Sequence, residues 1–76
     1  MRVDPQQHRN RYFGRIALAF QGAWMVKLLD GRRCPVPARE VAESGIVAKP
    51  GDRVEVSIFI RPDGSISAFD PALVED

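Results

Sequence analysis

Few residues in this chain have the chemistry for catalysis or metal binding. The sequence contains one histidine and one cysteine, His8 and Cys34. Nothing around His8 would make it a general base or a ligand, and a zinc site of cysteines and histidines needs about four such ligands. We expect Cys34 to be a small buried hydrophobe rather than a reactive thiol. We therefore predict no enzyme activity, no metal and no cofactor.

Binding chemistry is better represented, because cations alternate with apolar side chains in the first half. Phe13 and Arg15 share alternate positions of one segment, as do Met25 and Lys27 of the next, with Arg33 beyond them. An aromatic ring can stack an unpaired base while neighbouring cations hold its phosphate; alternatively, Phe13 covers an open end of the fold. The residues predicted to bind nucleic acid are Phe13, Arg15, Met25, Lys27, Arg32 and Arg33.

The charge distribution also favours a polyanionic partner for the first half. The net charge is only +1, but residues 1–33 carry seven basic and two acidic side chains, a net charge of +5. Residues 34–76 carry four basic and eight acidic side chains, a net charge of −4. Most of the cations are arginines, whose planar guanidinium suits bidentate or stacked contacts. A surface of mixed, solvated charges remains the alternative interpretation.

Residues 49–69 give the clearest signal of secondary structure, two strands joined by a tight turn. β-branched residues alternate along the first strand, as expected when one face is buried. Residues 62–64 are typical of a three-residue turn with Gly64 in the left-handed conformation. That turn places Ile66 opposite Ile60 and Ala68 opposite Ile58. The residues of the first strand predicted to face the core are Val54, Val56, Ile58 and Ile60.

Three further strands are predicted in the first half, over residues 11–20, 23–29 and 32–36. The sequence Asp-Gly at 30–31 is a strong signal for a hairpin between the last two. A short helix is predicted over residues 37–45, because proline favours a first helical position and glycine a helix end. The core-facing residues predicted for the three strands are Gly14, Ile16, Leu18, Phe20, Trp24, Val26, Leu28, Cys34 and Val36.

The order of these elements predicts a small all-β domain. Three strands, a short helix and two strands are typical of a five-stranded Greek-key barrel of the OB type, with the helix between the third and fourth strands. We assign the barrel to residues 11–70, a flexible arm to 1–10 and an acidic tail to 71–76, with the last strand ending at Asp70 and Pro71. The sequence contains no apolar run of 18 residues, so no membrane span is predicted. A reduced, cytoplasmic setting and a monomeric state are expected.

Short motifs along the chain resemble the S-one-type OB-domain family, nearest to bacterial translation initiation factor one. They are GRI at 14–16, WMVKL at 24–28, DG at 30–31, PGDRVEV at 50–56 and GSI at 64–66. The resemblance covers roughly residues 12–69. It implies binding to single-stranded RNA, or to RNA of the small ribosomal subunit, on the face of the second and third strands. The acidic residues before position 50 favour a relative with a different task over the initiation factor itself.

Two other interpretations stay open. Phe59 and Phe69 are predicted to point outward beside acidic residues, which suits an adaptor that docks on a protein such as a polymerase or a ribosome component. The motifs DGRRCPVPAREV at 30–41, GI at 45–46 and PGD at 50–52 resemble the swapped-hairpin family of DNA-binding regulators, which are obligate dimers. In that interpretation residues 11–29 would form two additional strands.

Overall fold

A computed structural model of the protein describes residues 11–74. These residues form one curled antiparallel sheet, a half-barrel of five strands, with one short helix. The predicted all-β architecture and the place of the helix are confirmed. The predicted arm, residues 1–10, and the last two residues of the predicted tail lie outside the described residues. The elements are β1 (Arg11–Phe20), β2 (Ala23–Leu28), β3 (Arg33–Val36), α1 (Ala38–Ser44), β4 (Arg53–Ile60) and β5 (Ile66–Leu73).

β1 is the central strand, and the sheet has the order β3-β2-β1-β4-β5. The sheet curls until the edge strands β3 and β5 contact each other, and α1 packs against β5 and β2. The helix ends where Gly45 adopts a left-handed conformation, with φ of 73°. The segment between β3 and β4 therefore carries the chain across the half-barrel, so that β4 pairs with β1 on the side away from β2.

The core lies on the concave side of the sheet, and most of the predicted core residues are buried there. Trp24, Val26 and Leu28 of β2 and Cys34 of β3 are among them. Burial raises the pKa of the Cys34 thiol, as expected for a structural cysteine. The complete buried apolar set is Ile16, Trp24, Val26, Leu28, Cys34, Val36, Val54, Val56 and Ala68.

Gly14 allows β1 and β2 to approach each other closely beside this core. A Cβ atom at Gly14 would lie 2.4 Å from the Lys27 carbonyl oxygen and 2.9 Å from a methyl group of Val26. Gly14 pairs with Leu28 on one side and Val54 on the other. A side chain at this position would push the backbones of the central strands apart, so glycine is required by packing.

A bulge in β1 makes the prediction for Leu18 and Phe20 wrong. Ile16 pairs with Val26 but Leu18 pairs with Met25, so β1 has one residue more than β2 at this point, Ala17. One additional residue reverses which side chains face the core. Leu18 and Phe20 are consequently 58% and 67% exposed rather than buried.

The turn between β4 and β5 has the predicted form and register. Ile60 pairs with Ile66, and Ile58 with Ala68. Gly64, with φ of 92°, donates its N–H to the Arg61 carbonyl oxygen at 2.9 Å. The predicted burial of Ile60 is nevertheless wrong, because Ile60 is 64% exposed. Among the described residues, the β1–β4 pairing runs as far as Arg11 and Ser57, and Ile60 lies beyond it near the tip of the β4–β5 hairpin.

β5 continues beyond the predicted strand end. Ser57 pairs with Phe69 and Glu55 with Ala72, so Asp70 and Pro71 together lie opposite one residue of β4. Asp70 adopts a left-handed conformation, with φ of 52°, and Pro71 is buried. A proline is compatible with a strand at such a bulge. Residues 71–73 are therefore part of the sheet and not of a tail.

Candidate nucleic-acid interface

Four basic residues form a row across the convex face of the sheet, and we call them the cationic row. Arg15 of β1 pairs with Arg53 of β4 on one side and with Lys27 of β2 on the other, and Lys27 pairs with Arg33 of β3. All four are exposed while their neighbours along each strand are buried. Adjacent strands lie about 4.8 Å apart, so the row extends over about 14 Å.

Turns and close packing fix the register of this row. In the β2–β3 hairpin, Gly31 has φ of 95° and donates its N–H to the Leu28 carbonyl oxygen at 2.9 Å. Leu28 N–H in turn donates to the Arg32 carbonyl oxygen at 2.8 Å, which aligns Lys27 with Arg33. The three-residue loop 29–31 thus sets one half of the row. The close approach at position 14 sets Arg15 between its two neighbours.

The cationic row brings four positively charged side chains together on adjacent strands. Like charges directly opposite each other on adjacent strands destabilise a sheet by up to about 1 kcal/mol per pair. In the part of the chain that the structure describes, no acidic side chain forms an ion pair with Lys27 or Arg33. Arg15 donates from Nη1 to the Gly51 carbonyl oxygen at 2.9 Å, a contact that orients the guanidinium and leaves its charge in place. The row is therefore suited to an anionic ligand.

Apolar side chains flank the row on one side. Phe13 lies two residues before Arg15 on the same face, and Leu29 N–H donates to the Phe13 carbonyl oxygen at 3.0 Å. Phe13 is about half exposed and Leu29 more so. Together with Arg15, Arg53 and neighbouring backbone they line a small cleft. We call it the β1–β4 cleft; its lining residues are Phe13, Gly14, Arg15, Leu29, Arg53, Val54 and Val74.

A second group of apolar side chains flanks the row on its other side. The pairing of Leu18 with Met25, and of Met25 with Pro35, places these residues on the convex face beyond Lys27. Phe20 extends the group toward the tip of the β1–β2 hairpin. We call this surface the apolar groove; it is lined by Leu18, Phe20, Ala23, Trp24, Met25 and Pro35.

The predicted binding residues fall into two places. Five share the convex face, namely Phe13, Arg15, Met25, Lys27 and Arg33. Arg32 lies in the β2–β3 loop instead, where its Nε is 2.9 Å from an Asp30 carboxylate oxygen and its guanidinium is 5.4 Å from the centre of the Tyr12 ring. A hydrogen bond from the Arg32 backbone N–H is the main cause of the lowered pKa of Asp30. Arg32 therefore contributes to the hairpin rather than to the row.

Sequence patterns missed several members of this surface. Arg53 is at an outward position of β4, but nothing in the local pattern indicates that β4 pairs with β1. Leu29 follows β2 directly, and its exposure depends on the loop that ends the strand. Leu18 and Phe20 were assigned to the core because the bulge at Ala17 has no glycine or proline to signal it.

The β4–β5 hairpin carries a separate exposed apolar surface. Phe59 and Phe69 are exposed on the convex side, as predicted from their strand positions. The Arg61 guanidinium lies 5.9 Å from the centre of the Phe59 ring. This surface is distinct from the cationic row, because Phe59 lies near the opposite end of β4 from Arg53.

Two other kinds of feature are absent from residues 11–74, a metal-binding cluster and a membrane-spanning helix. No group of three or more His, Cys, Asp or Glu side chains in that range is arranged to hold a metal ion. No helix there has the length and apolar character to cross a membrane.

Comparison with known proteins does not extend this description. No protein-family model matches the chain, and no curated protein matches it. The geometry and chemistry of the convex face are therefore the basis for inferring a function.

Proposed function

We propose that this protein is a non-enzymatic module that binds single-stranded nucleic acid, RNA in particular, on the convex face of β1 to β4. The observation that carries the proposal is the cationic row. Four cations lie side by side on adjacent strands, and their mutual repulsion is relieved when a polyanion binds. The phosphates of the ligand follow the row.

The apolar surfaces on both sides of the row favour a single strand over a duplex. Unpaired bases expose faces that stack on aromatic and apolar side chains, whereas the bases of a duplex are stacked on one another. Phe13 and Leu29 lie on one side of the row, and Phe20 and Met25 on the other. A single strand can hold its phosphates on the row and place its bases against either surface.

We further propose that the half-barrel is of the OB type. The strand order, the contact between β3 and β5 and the helix between β3 and β4 all support this assignment. The central position of β1 favours it over the swapped-hairpin arrangement, in which residues 11–29 would be additional strands. On the resemblance to S-one-type domains, RNA of the ribosome or free single-stranded RNA in the cytoplasm is the partner to test first.

The proposal is tested by the salt dependence of binding. The ligand is a fluorescent single-stranded RNA of about 12 nucleotides, within the range covered by one OB fold. Its anisotropy is measured between about 50 and 200 mM salt. Single strands contribute a slope of about −0.7 per neutralised phosphate, so four contacts give about −2.8 and a loss of affinity of about 50-fold over this range.

Two matched double variants locate the contacts. Lys27→Gln with Arg33→Gln removes half of the row and is expected to reduce the slope by about 1.4. Arg39→Gln with Arg61→Gln removes the same charge from α1 and the β4–β5 hairpin, and is expected to leave the slope nearly unchanged. No binding at the lowest salt, or an equal effect of both double variants, would refute the proposal.

A second candidate function is a protein-binding adaptor, favoured by the exposed Phe59 and Phe69. Exposed aromatic residues on a small domain are typical of protein interfaces. In a pull-down from a lysate of the source cells, an adaptor retains its partner after nuclease treatment. It loses that partner in Phe59→Ser with Phe69→Ser but not in Lys27→Gln with Arg33→Gln. The nucleic-acid proposal predicts the opposite result for the two variants.

A further inference from the structure

We infer that the β1–β4 cleft binds one nucleotide unit, with the phosphate between Arg15 and Arg53 and the base against Phe13 and Leu29. This inference rests on the proposed function, because the cleft lies at the β4 end of the cationic row. It goes further by stating where one end of the ligand binds and which chemical unit of the ligand binds there.

The cleft is built from fixed backbone. Ile16 N–H donates to the Asp52 carbonyl oxygen at 3.0 Å, and Gly51 N–H donates to the Ile16 carbonyl oxygen at 2.8 Å. These bonds hold the segment before β4 against β1. On the far side, Val74 N–H donates to the Arg53 carbonyl oxygen at 3.0 Å and brings Val74 to the cleft. A ligand therefore meets walls that are already in place.

The two arginines provide the phosphate end of this site. Arg15 and Arg53 are direct cross-strand neighbours, and both line the cleft. Arg15 uses Nη1 for the Gly51 carbonyl oxygen, and Arg53 has contacts of its own within the protein. A guanidinium has five N–H donors, so Arg15, which uses one of them for Gly51, retains donors for a further acceptor. Two adjacent planar guanidinium groups suit the oxygens of a phosphate, which accepts bidentate hydrogen bonds.

Two acidic residues close to the cleft, among those that the structure describes, are engaged by cations of their own. Glu55, which pairs with Phe13 across the strands, accepts from Arg11 Nε at 3.0 Å. Asp52 accepts from the Lys49 backbone N–H at 3.0 Å and from Lys49 Nζ at 3.3 Å. These pairs reduce the repulsion that the carboxylates would exert on a bound phosphate.

Phe13 and Leu29 provide the base end of the site. Both are exposed on the same face as the arginines, and both line the cleft. An aromatic ring beside an aliphatic side chain offers an apolar platform for any base, while inorganic phosphate gains nothing from it. A ligand with both parts is therefore expected to bind more tightly than either part alone.

The test uses adenosine 5′-monophosphate as the probe, with adenosine and inorganic phosphate as separate arms. Binding to the full chain is followed by amide chemical shifts at low salt. We expect the nucleotide to shift the amides of the β1–β4 cleft and to bind at least about tenfold more tightly than either part. Phe13→Leu is expected to weaken nucleotide binding by roughly 5- to 150-fold, and Phe69→Leu, the matched control, to leave it unchanged.

Arg53→Gln provides a second variant, and its amide spectrum is used to check that it folds, because Arg53 also has contacts within the protein. It should weaken binding of the nucleotide and of phosphate together. The inference is overturned if phosphate binds as tightly as the nucleotide, if the shifts lie outside the cleft, or if Phe13→Leu has no effect.

Failure of this inference and failure of the proposed function give different results. RNA binding with the expected salt slope, without nucleotide binding at the cleft, overturns only this inference. Nucleotide binding at the cleft without binding of the RNA supports the inferred nucleotide site and refutes the proposed function.

Discussion

Replacing Arg11 with leucine should remove the main polar link between β1 and the edge of the sheet. Arg11 Nε is 3.0 Å from a Glu55 carboxylate oxygen, and Nη1 donates to Ser57 Oγ at 3.0 Å. Nη1 also donates to the backbone carbonyl oxygen of Asp70 at 2.7 Å. One side chain, 21% exposed, therefore joins three strands and holds the bulge at Asp70.

The expected loss follows from the surroundings of each partner. Hydrogen bonds to a charged group each contribute about 1.5–3 kcal/mol when they are protected from water. The bonds to Glu55 and Ser57 are partly protected, but the Asp70 carboxylate is 78% exposed and its pairing contributes little. Because one guanidinium serves all the acceptors, we expect Arg11→Leu to lower the free energy of unfolding by about 2 kcal/mol in total. Arg11→Lys keeps the charge but cannot reach all three partners, so about half of this loss is expected.

The assay is urea unfolding followed by the fluorescence of the buried Trp24. A change in midpoint at constant slope reports a change in stability without a change in the surface exposed on unfolding. For a domain of this size, a loss of 2 kcal/mol corresponds to a decrease in Tm of roughly 8–16 °C. Arg39→Leu, on the exposed side of α1, is the control and should stay within about 0.5 kcal/mol of the unsubstituted protein.

Equal stability of Arg11→Leu and Arg39→Leu would show that the Arg11 contacts make no net contribution to the stability of the sheet. A double-mutant cycle of Arg11→Leu with Glu55→Gln separates the direct pair from the rest. A coupling energy near zero would show that Arg11 acts on the sheet without Glu55.

Three further predictions concern stability, acid sensitivity and thiol reactivity. Gly14→Ala, whose Cβ would lie 2.4 Å from a backbone oxygen, should lower the free energy of unfolding in urea by at least about 3 kcal/mol. Gly31→Ala, in open space but with φ of 95°, should lower it by about 1–2 kcal/mol. Equal losses would exclude close packing as the cause. The pKa of Asp63 is lowered mainly by the hydrogen bond from the Ser65 backbone N–H, so its contribution to stability is present above the unfolded-state pKa and is lost as pH falls through the lower folded-state pKa. Asp63→Asn should therefore lose less stability than the unsubstituted protein when the pH is lowered below about 4. If stability depended on pH in the same way in both proteins, Asp63 would not stabilise the turn through this hydrogen bond. The buried Cys34, with its raised thiol pKa, should react with a thiol reagent at mildly alkaline pH only after urea unfolding, and rapid reaction in the folded protein would contradict its burial.

Local patterns predicted the strands and most of the core, because both depend on neighbours along the chain. The alternation of Val54 and Val56 with polar residues, and the turn at Gly64, specify their structure within a few residues. The extent to which each side chain is buried is not specified by local patterns in the same way. Ile60 continues the apolar alternation but is exposed, because burial at the end of β4 depends on contacts with distant parts of the chain, which local alternation does not specify.

Only the part of the candidate site that lies on strands joined directly by hairpins could be predicted from the sequence. Arg15, Lys27 and Arg33 lie on consecutive strands, so strand alternation and the two turns between them are enough to place them together. Arg53 is separated from Arg15 by β2, β3 and α1, and its position in the cationic row requires β1 to lie between β2 and β4. That arrangement depends on closure of the sheet, which no local pattern of the chain specifies.

The error at Leu18 and Phe20 has the same physical origin as part of the proposed site. Without the bulge at Ala17, strand alternation would place both side chains on the concave side of the sheet. With it, they lie on the convex side next to Met25, where they form the apolar groove beside the cationic row. Exposing two large apolar side chains forgoes the stabilisation of about 1.5–3 kcal/mol that burial of each would provide. Departures from local rules that reduce stability are expected where a surface serves binding. The bulge therefore links the sequence pattern to the proposed function: it costs the core two residues and gives the convex face the apolar surface on which we propose that unpaired bases stack.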